Sequence, residues 1–461
     1  MNSAGTPPPV AATGSRAALW LIPLGSFLGP FLGSSVTVAL PAIGADTGMN
    51  TVMLGYFTTA YFLAAAIFML PVSRLGDDRG RVPVYAAGQA LLGVSAALIL
   101  LTDTPAALLA LRFVQGIGGA MIFGTGAAIL GSAFPAAQRG RVIGINITAT
   151  YVGLTSGPFL GGLMTHHLGW ESLFMAGALL GCANAAAVHL IVREAPATRL
   201  PGRFDWTGAC LLGASMTCLV FGSGIITRAP GVALAAASML LGAGFVVWQR
   251  RAAAPLLDPA LFTRGNGLSQ AAGAGLLAYT GTFGIGLLLS LYLQSAMGFD
   301  AAQTGLVLVS QPLTQTLLAG LAGRLSDHWS PRWLTTAGLL LCGLGTAALA
   351  LTPLHGDARL VTAVLALVGA GFALFAAPNA NAALGAVAAP QFGIVTGLLQ
   401  LTRLIGQMLS MSLVLVLISL QPAAAVVSAR TVALSCAAFA LLCLAAAWTS
   451  AQRPARGAAA G

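Results

Sequence analysis

Apolar stretches of membrane-spanning length follow one another along nearly the whole chain and leave little sequence for anything else. Fourteen are read, at residues 17–40, 51–72, 82–101, 105–133, 142–165, 171–192, 206–226, 231–249, 267–295, 303–323, 333–353, 359–384, 394–419 and 430–450. A helix needs about 20 mainly apolar residues to cross the hydrocarbon of a bilayer. The breaks are short turns rich in Pro, Gly, Asp and Arg, such as Gly76-Asp77-Asp78-Arg79-Gly80-Arg81. Only 7% of the residues are charged, against roughly 25% in soluble domains, too few to cover a water-facing surface. In lipid each backbone N–H and C=O must be satisfied within its own segment, which selects the helix for runs of this length. The expected fold is an all-α membrane protein with fourteen transmembrane helices. The first run is too long for the core of a signal peptide, about 7–15 residues, and is expected to stay in the membrane.

The arginines give an orientation. All 21 basic residues are arginine. With the N-terminus in the cytoplasm, sixteen fall inside: Arg16, Arg74, Arg79, Arg81, Arg139, Arg141, Arg193, Arg199, Arg203, Arg250, Arg251, Arg264, Arg324, Arg332, Arg453 and Arg456. Arg228, Arg359 and Arg430 fall outside, and Arg112 and Arg403 lie within helices. Short cytoplasmic loops carry the excess of positive charge, so both termini are expected in the cytoplasm and the number of spans is expected to be even. The net charge of +10 is scattered over these loops and does not form the basic face that nucleic acid requires. The lack of lysine and the alanine-rich text resemble a GC-rich bacterial genome, and the expected location is the bacterial cytoplasmic (inner) membrane. Cys182, Cys210, Cys218, Cys342, Cys436 and Cys443 all lie in apolar runs without a CxxC pair. They are read as small core residues, with no metal site or disulfide framework.

The chain repeats itself. Arg74-Leu75-Gly76-Asp77 recurs as Arg324-Leu325-Ser326-Asp327, 250 residues later. Gly140 and Gly144 match Gly393 and Gly397 at an offset of 253, and Gly153 matches Gly406. In spans the offset is eight, so span 2 corresponds to span 10 and span 5 to span 13. Two six-helix halves separated by a two-helix insert give that offset. The expected division is a cytoplasmic tail at 1–16, a six-helix bundle at 17–192, a linker with two extra helices at 193–266, a second bundle at 267–450 and a cytoplasmic tail at 451–461.

Three motifs carry a resemblance. The loop after span 2, Arg74-Leu75-Gly76-Asp77-Asp78-Arg79-Gly80-Arg81, looks like the Gly-x-Leu-Ala-Asp-Arg-x-Gly-Arg signature of the major facilitator superfamily, with Ser73 in place of its first Gly. Leu111-Arg112-Phe113-Val114-Gln115-Gly116 is similar to that superfamily's span-4 arginine motif. Gly153-Leu154-Thr155-Ser156-Gly157-Pro158-Phe159-Leu160-Gly161-Gly162 resembles its antiporter signature, found in exporters. The resemblance covers the whole chain and implies the major facilitator fold and the fourteen-helix drug:proton antiporter family. It implies export of drugs, antibiotics or small amphiphilic metabolites by alternating access with proton antiport. The other reading within the superfamily is an importer or facilitator of a small neutral or anionic solute. The expected partners are a small-molecule substrate, protons and the lipid bilayer, the chain acting as a monomer with no cofactor. Family members often carry an Asp in span 1 before an Ala-Leu-Pro; here Ala39-Leu40-Pro41 is present and Leu32 stands where the acid would be.

The residues expected to act follow from where polarity interrupts the apolar runs. Arg112 and Arg403 are costly inside a membrane, roughly 2.5–3.5 kcal/mol on insertion scales, and should face a cavity or a partner. Gln115 lies one turn from Arg112, and Gln400 and Gln407 one turn from Arg403. Asn379, Asn381 and Gln311, each near a proline, complete the expected substrate or proton pathway. The alternative for Arg112 is a structural arginine bonding backbone carbonyls at a helix break, and for Arg403 with its glutamines an interhelical hydrogen-bond cluster. Asp77, Arg79, Arg81 and the repeated Asp327 are read as a gate whose ion pairs latch one side shut and release in the other state. Gly153, Gly157 and Gly161 share one small face beside the bend at Pro158, and are read as a sliding surface between the halves or as static close packing, which the sequence does not separate. Phe27, Phe31, Tyr56, Tyr61 and Tyr292 are aromatic candidates for the cavity wall, although most single aromatics in membrane helices face lipid or core. His166, His167 and His189 are read as interfacial. All eleven acids are placed in loops or at helix ends, so proton acceptance is assigned first to Asp46 and Asp77. The chain carries no HExxH, GxSxG or P-loop pattern, which argues against an enzyme or an ATP-driven pump.

Overall fold

Proline, glycine and capping side chains mark several of the helix ends where the apolar text breaks. The computed structural model describes residues 12–134, 136–193, 204–253, 255–256, 267–351, 358–386, 392–420 and 427–452. The first half comprises α1 (Ala12–Thr47), α2 (Thr51–Arg79), α3 (Arg81–Ile99), α4 (Pro105–Ala133), α5 (Ala136–Leu168) and α6 (Glu171–Ile191). Then come α7 (Trp206–Gly224) and α8 (Ala229–Gln249). The second half comprises α9 (Leu268–Thr282), α10 (Gly284–Ser295), α11 (Ala301–Leu308), α12 (Ser310–His328), α13 (Pro331–Leu351), α14 (Ala358–Gly385), α15 (Phe392–Ser419) and α16 (Ala429–Ala451). α9 and α10 are one span broken at Phe283, and α11 and α12 one span broken at Val309, so the expected fourteen spans are present. Thirteen are long and apolar enough by composition to cross a membrane. The other, α5, is 33 residues long and is diluted by Asn146, Thr148, Thr150, Thr155 and Ser156. α1 begins at Ala12, inside the stretch expected to be a tail.

Helix starts are capped where the turns supply a short polar side chain. The Asn50 side chain accepts from the Met53 N–H at 2.9 Å, and Asp300 forms a capping box with Gln303. Such caps contribute about 1 kcal/mol. The tight α2–α3 turn is made by Gly80 at φ 102°, a conformation in which a Cβ is strained.

Packing repeats as the sequence does. α1 packs on α5 and α6, and α9 on α15 and α16; α2 packs on α4, and α12 on α14; α3 packs on α4 and α6, and α13 on α14 and α16. The seams between the halves obey the same relation, α5 against α11 and α12 and α2 against α15. α7 packs on α8, α2 and α15, so the inserted pair covers the α2–α15 seam. The Tyr56 hydroxyl donates to Phe221 O at 2.7 Å across that contact. The outer surface is apolar, with Leu351 84%, Met239 77% and Leu240 74% exposed, as lipid requires.

The α2–α3 turn and the start of α1 lie on one membrane face, called here the arginine-rich face, and the α1–α2 and α5–α6 breaks lie on the far face. Arg199, Arg203, Arg264, Arg453, Arg456, Glu194, Asp258 and Asp357 lie outside the described residues.

Candidate substrate cavity

A cavity lies between the two halves. The first half contributes Gly29, Pro30, Gly33, Ser34 and Thr37 of α1, Tyr61 and Phe62 of α2, Phe123 of α4, and Tyr151, Leu154 and Pro158 of α5. The second half contributes Tyr279, Thr282, Phe283, Gly286 and Leu287, then Leu308, Gln311, Pro312 and Gln315, Phe372 of α14, and Arg403, Leu404, Gln407 and Met411 of α15. Both broken spans border it. Pro312 has no N–H and its ring crowds the preceding turn, next to the break at Val309. At the other break the Gly284 N–H donates to the Ser410 hydroxyl at 2.7 Å, and Phe283 turns edge-on to Phe62 of the first half, centroids 4.9 Å apart.

The cavity is closed toward the far face. There Ser290 donates to Thr37 O at 2.7 Å and Gln294 to Val38 O at 2.8 Å. Backbones touch directly as well: a Cβ on Gly162 would lie 2.4 Å from Ala301 O, and one on Gly305 2.2 Å from Pro158 O. Near mid-membrane Thr155 and Thr316 share a hydrogen bond of 2.8 Å. Closer to the arginine-rich face, Gly144 of α5, Gly320 and Gly323 of α12 and Gly397 of α15 have nothing within 4 Å of where a Cβ would point. The halves are therefore joined on the far side, and these four glycines nearer the arginine-rich face border open space.

Of the expected pathway residues, Arg403, Gln407 and Gln311 line the cavity. Arg403 is the one charged side chain among the lining residues, and none of them is an acid. Arg112 is 1% exposed and sits behind the wall. Its guanidinium lies over the rings of Phe57 and Tyr61, 5.1 and 5.2 Å from their centroids. It donates to Gln115 Oε1 at 2.8 Å and to Phe57 O at 3.3 Å, so Gln115 serves Arg112 and does not reach the cavity. A desolvated stack of this kind stabilises by about 2 kcal/mol.

Most of the other expected residues lie elsewhere in the fold. Asn379 donates to Ala271 O at 3.0 Å and Asn381 to Ser326 Oγ at 3.1 Å. These bonds tie α14 to α9 and α12, and neither residue lines the cavity, nor does Gln400. Gly153, Gly157 and Gly161 face Phe27, Ser34 and Ser35 of α1, so that face packs within the first half. The contact between halves is made by the neighbouring Pro158 and Gly162. Asp46 is exposed at the far face, where it accepts the Trp170 indole N–H at 2.8 Å, outside the cavity. Asp77 pairs with Arg81 at 2.8 Å inside its own hairpin, with Arg79 exposed beside them. The Asp327 side chain lies outside the described residues. Of the aromatic candidates only Tyr61 borders the cavity; Phe27 and Phe31 stack on each other at 5.4 Å, and Tyr292 is in the core.

The expected list lacks Gln315, Tyr151, Tyr279, Phe123, Phe283 and Phe372. Gln315 follows Gln311 by one turn on the same helix face, a spacing visible in the sequence. The aromatics give no such signal.

The sequence profile of the Major Facilitator Superfamily matches residues 22–255 and 271–461. This chain belongs to that superfamily. Within it, the chain is 32% identical over 407 residues to the cephamycin export protein CmcT of Amycolatopsis lactamdurans, covering 85% of this chain and 82% of that protein. It is 28% identical over 411 residues to the tetracenomycin C resistance and export protein of Streptomyces glaucescens, covering 86% and 75%. It is 28% identical over 376 residues to the riboflavin transporter RibZ of Clostridioides difficile, covering 80% of each. Among solved structures it resembles a bacterial homolog of the human lysosomal transporter Spinster in an inward-facing and occupied conformation, with a TM-score of 0.71 and 16% identity over 96% of this chain and 97% of that one. At that identity the likeness is one of fold. The chain is a multi-pass membrane transporter of that superfamily.

Proposed function

We propose that this transporter exports drugs, antibiotics or small amphiphilic metabolites across the bacterial cytoplasmic membrane by alternating access, in exchange for protons. The observation that carries the reading is the cavity itself: shared by both halves, walled by aromatic side chains, and holding one guanidinium and no carboxylate. Such a wall suits an amphiphile with an apolar body and few polar groups. In low dielectric a fixed positive charge without an acid repels lipophilic cations, so the substrate is neutral or anionic. The arginine asymmetry supports cytoplasmic termini, and with that orientation the cavity faces the cytoplasm, as loading for export requires.

Proton coupling has no acid in the cavity wall to use. It then runs through Asp77 in the gate hairpin or through a proton carried on the substrate. The chain acts as a monomer, because each cavity is completed by the two halves of one molecule.

The test is a resistance and transport screen in cells lacking their own efflux pumps. Lower accumulation of neutral or acidic amphiphiles on expression supports export. The second reading, an importer or facilitator, is favoured by the kinship to a riboflavin transporter, and net uptake in the same cells or counterflow in oriented vesicles would select it.

A further inference from the structure

Three buried polar atoms on residues that line the cavity, Arg403 Nε, Gln407 Oε1 and Tyr61 Oη, lack a hydrogen-bond partner among the described residues. Other unpartnered atoms, such as Asn146 Oδ1 and Thr165 Oγ1, belong to residues that do not line the cavity. Gln407 and Tyr61 are each 4% exposed. An unmade hydrogen bond in an apolar interior is unfavourable, so three in one cavity point to a ligand that makes them.

Their chemistry restricts that ligand. The Nε–H of Arg403 only donates, Oε1 of Gln407 only accepts, and the Tyr61 hydroxyl does either. Arg403 and Gln407 are one turn apart on α15, while Tyr61 comes from α2 in the other half. Apolar walls flank them: Phe283 meets Phe62 at 4.9 Å, and Tyr279 meets Phe372 at 5.1 Å.

We propose that Arg403, Gln407 and Tyr61 form an anion subsite for planar aromatic amphiphiles that carry an ionised acidic oxygen together with a hydroxyl or N–H donor. The proposal rests on the efflux reading and narrows it. The acidic oxygen accepts from Arg403 and Tyr61, which gives a charge-assisted bond in a dry setting. The ligand's own donor goes to Gln407 Oε1. Because Tyr61 and Arg403 stand on opposite halves, a ligand held by both bridges the cavity.

Binding to the purified full chain in detergent tests this with three naphthalene probes, followed by fluorescence. The probe 3-hydroxy-2-naphthoate has both charge and donor, its methyl ester lacks the charge, and 2-naphthoate lacks the donor. The hydroxy acid is expected to bind the wild-type chain more tightly than either control. Arg403→Gln should weaken the acids by about tenfold or more and leave the ester unchanged, with Arg403→Lys in between. Gln407→Leu should reduce the hydroxy acid to the level of 2-naphthoate and leave 2-naphthoate itself unchanged. The ester serves as the folding control for the Arg403 variants and 2-naphthoate for Gln407→Leu, since a variant that has collapsed loses all three probes. Wild-type binding without charge preference overturns the subsite, as does an equal loss of ester and acid in Arg403→Lys. Export by the wild-type chain in pump-deficient cells is scored separately: export without charge preference removes the subsite and keeps the efflux reading, and no export of any compound removes both.

Discussion

The guanidinium of Arg112 lies behind the ring of Tyr61, 5.2 Å from its centroid, and it is the ring that faces the cavity. The span-4 arginine thus holds α4 to α2 and leaves the positive charge of the wall to Arg403. Arg112→Gln removes the charged donor from Phe57 O and Gln115, and is expected to destabilise by about 1.5–3 kcal/mol. Tyr61→Phe removes a hydroxyl with no described partner and keeps the stack, so its loss should stay below about 1 kcal/mol. Thermal unfolding of both variants in one detergent makes the comparison, and equal losses would contradict the arrangement.

Asp77 and Arg81 make an ion pair whose side chains are 26% and 34% exposed. A pair this wet contributes about 0–1 kcal/mol, so Asp77→Asn should reach the membrane and melt almost as the wild type does. It should nevertheless lose most of its transport, since the gate reading needs the carboxylate when the arginine-rich side closes. Normal efflux by Asp77→Asn, measured against its expression level, would leave the residue a topological role only.

The glycines separate packing from motion. A Cβ on Gly153 would lie 2.3 Å from Phe27 O, a backbone atom with no freedom to turn aside, so Gly153→Ala must push α5 from α1 at about 1–3 kcal/mol. Gly144 has empty space at the same position, and Gly144→Ala is expected to stabilise the helix by about 0.5–1 kcal/mol. Gly397→Trp, its counterpart in the repeat, should fold yet lose most of its transport, because the room it fills is needed when the halves close. Melting curves and efflux assays on the three variants read this out, and an unstable Gly144→Ala would show that the space is already occupied.

The inserted pair has a pH-sensitive clasp. Burial works against ionised Asp205, but the Gly208 N–H, the Trp248 indole, the Gln249 amide and the Leu256 backbone more than offset it and hold the carboxyl below the ordinary carboxylate range. The Trp248 and Gln249 bonds, 2.8 and 2.7 Å, fasten the end of α8 to the start of α7. A depressed folded value means that the stabilisation is present above the ordinary carboxylate range and is lost as pH falls through the lower, folded value. Asp205→Asn should therefore melt lower than the wild type at neutral pH, with the gap narrowing in acid. A gap that does not change with pH would assign the effect to shape alone.

Much of the architecture is legible in the sequence because the membrane dictates it: run length gives the spans, and the recurring Arg-Leu-x-Asp hairpin gives the duplicated halves. The breaks at Phe283 and Val309 are not read from the sequence, since both fall within runs of spanning length; the structure places the Ser410 hydroxyl at the first and Pro312 beside the second. At the cavity, Arg403, Gln407 and Gln311 stand out as polar residues on apolar helices. The same criterion admits Asn379 and Asn381, which bond to neighbouring helices, because a polar side chain aimed at a helix and one aimed at a ligand look alike in one dimension. Tyr151, Tyr279 and Phe372 escape notice for the opposite reason: an aromatic residue suits lipid, core and cavity alike.

The central claim is that a cavity with one arginine and no acid serves a proton-driven exporter of neutral or anionic amphiphiles. Proteoliposomes carrying the purified chain, given an imposed proton gradient, test it with ethidium and 3-hydroxy-2-naphthoate side by side. The account predicts gradient-dependent movement of the naphthoate and none of ethidium. Gradient-driven ethidium transport would contradict it.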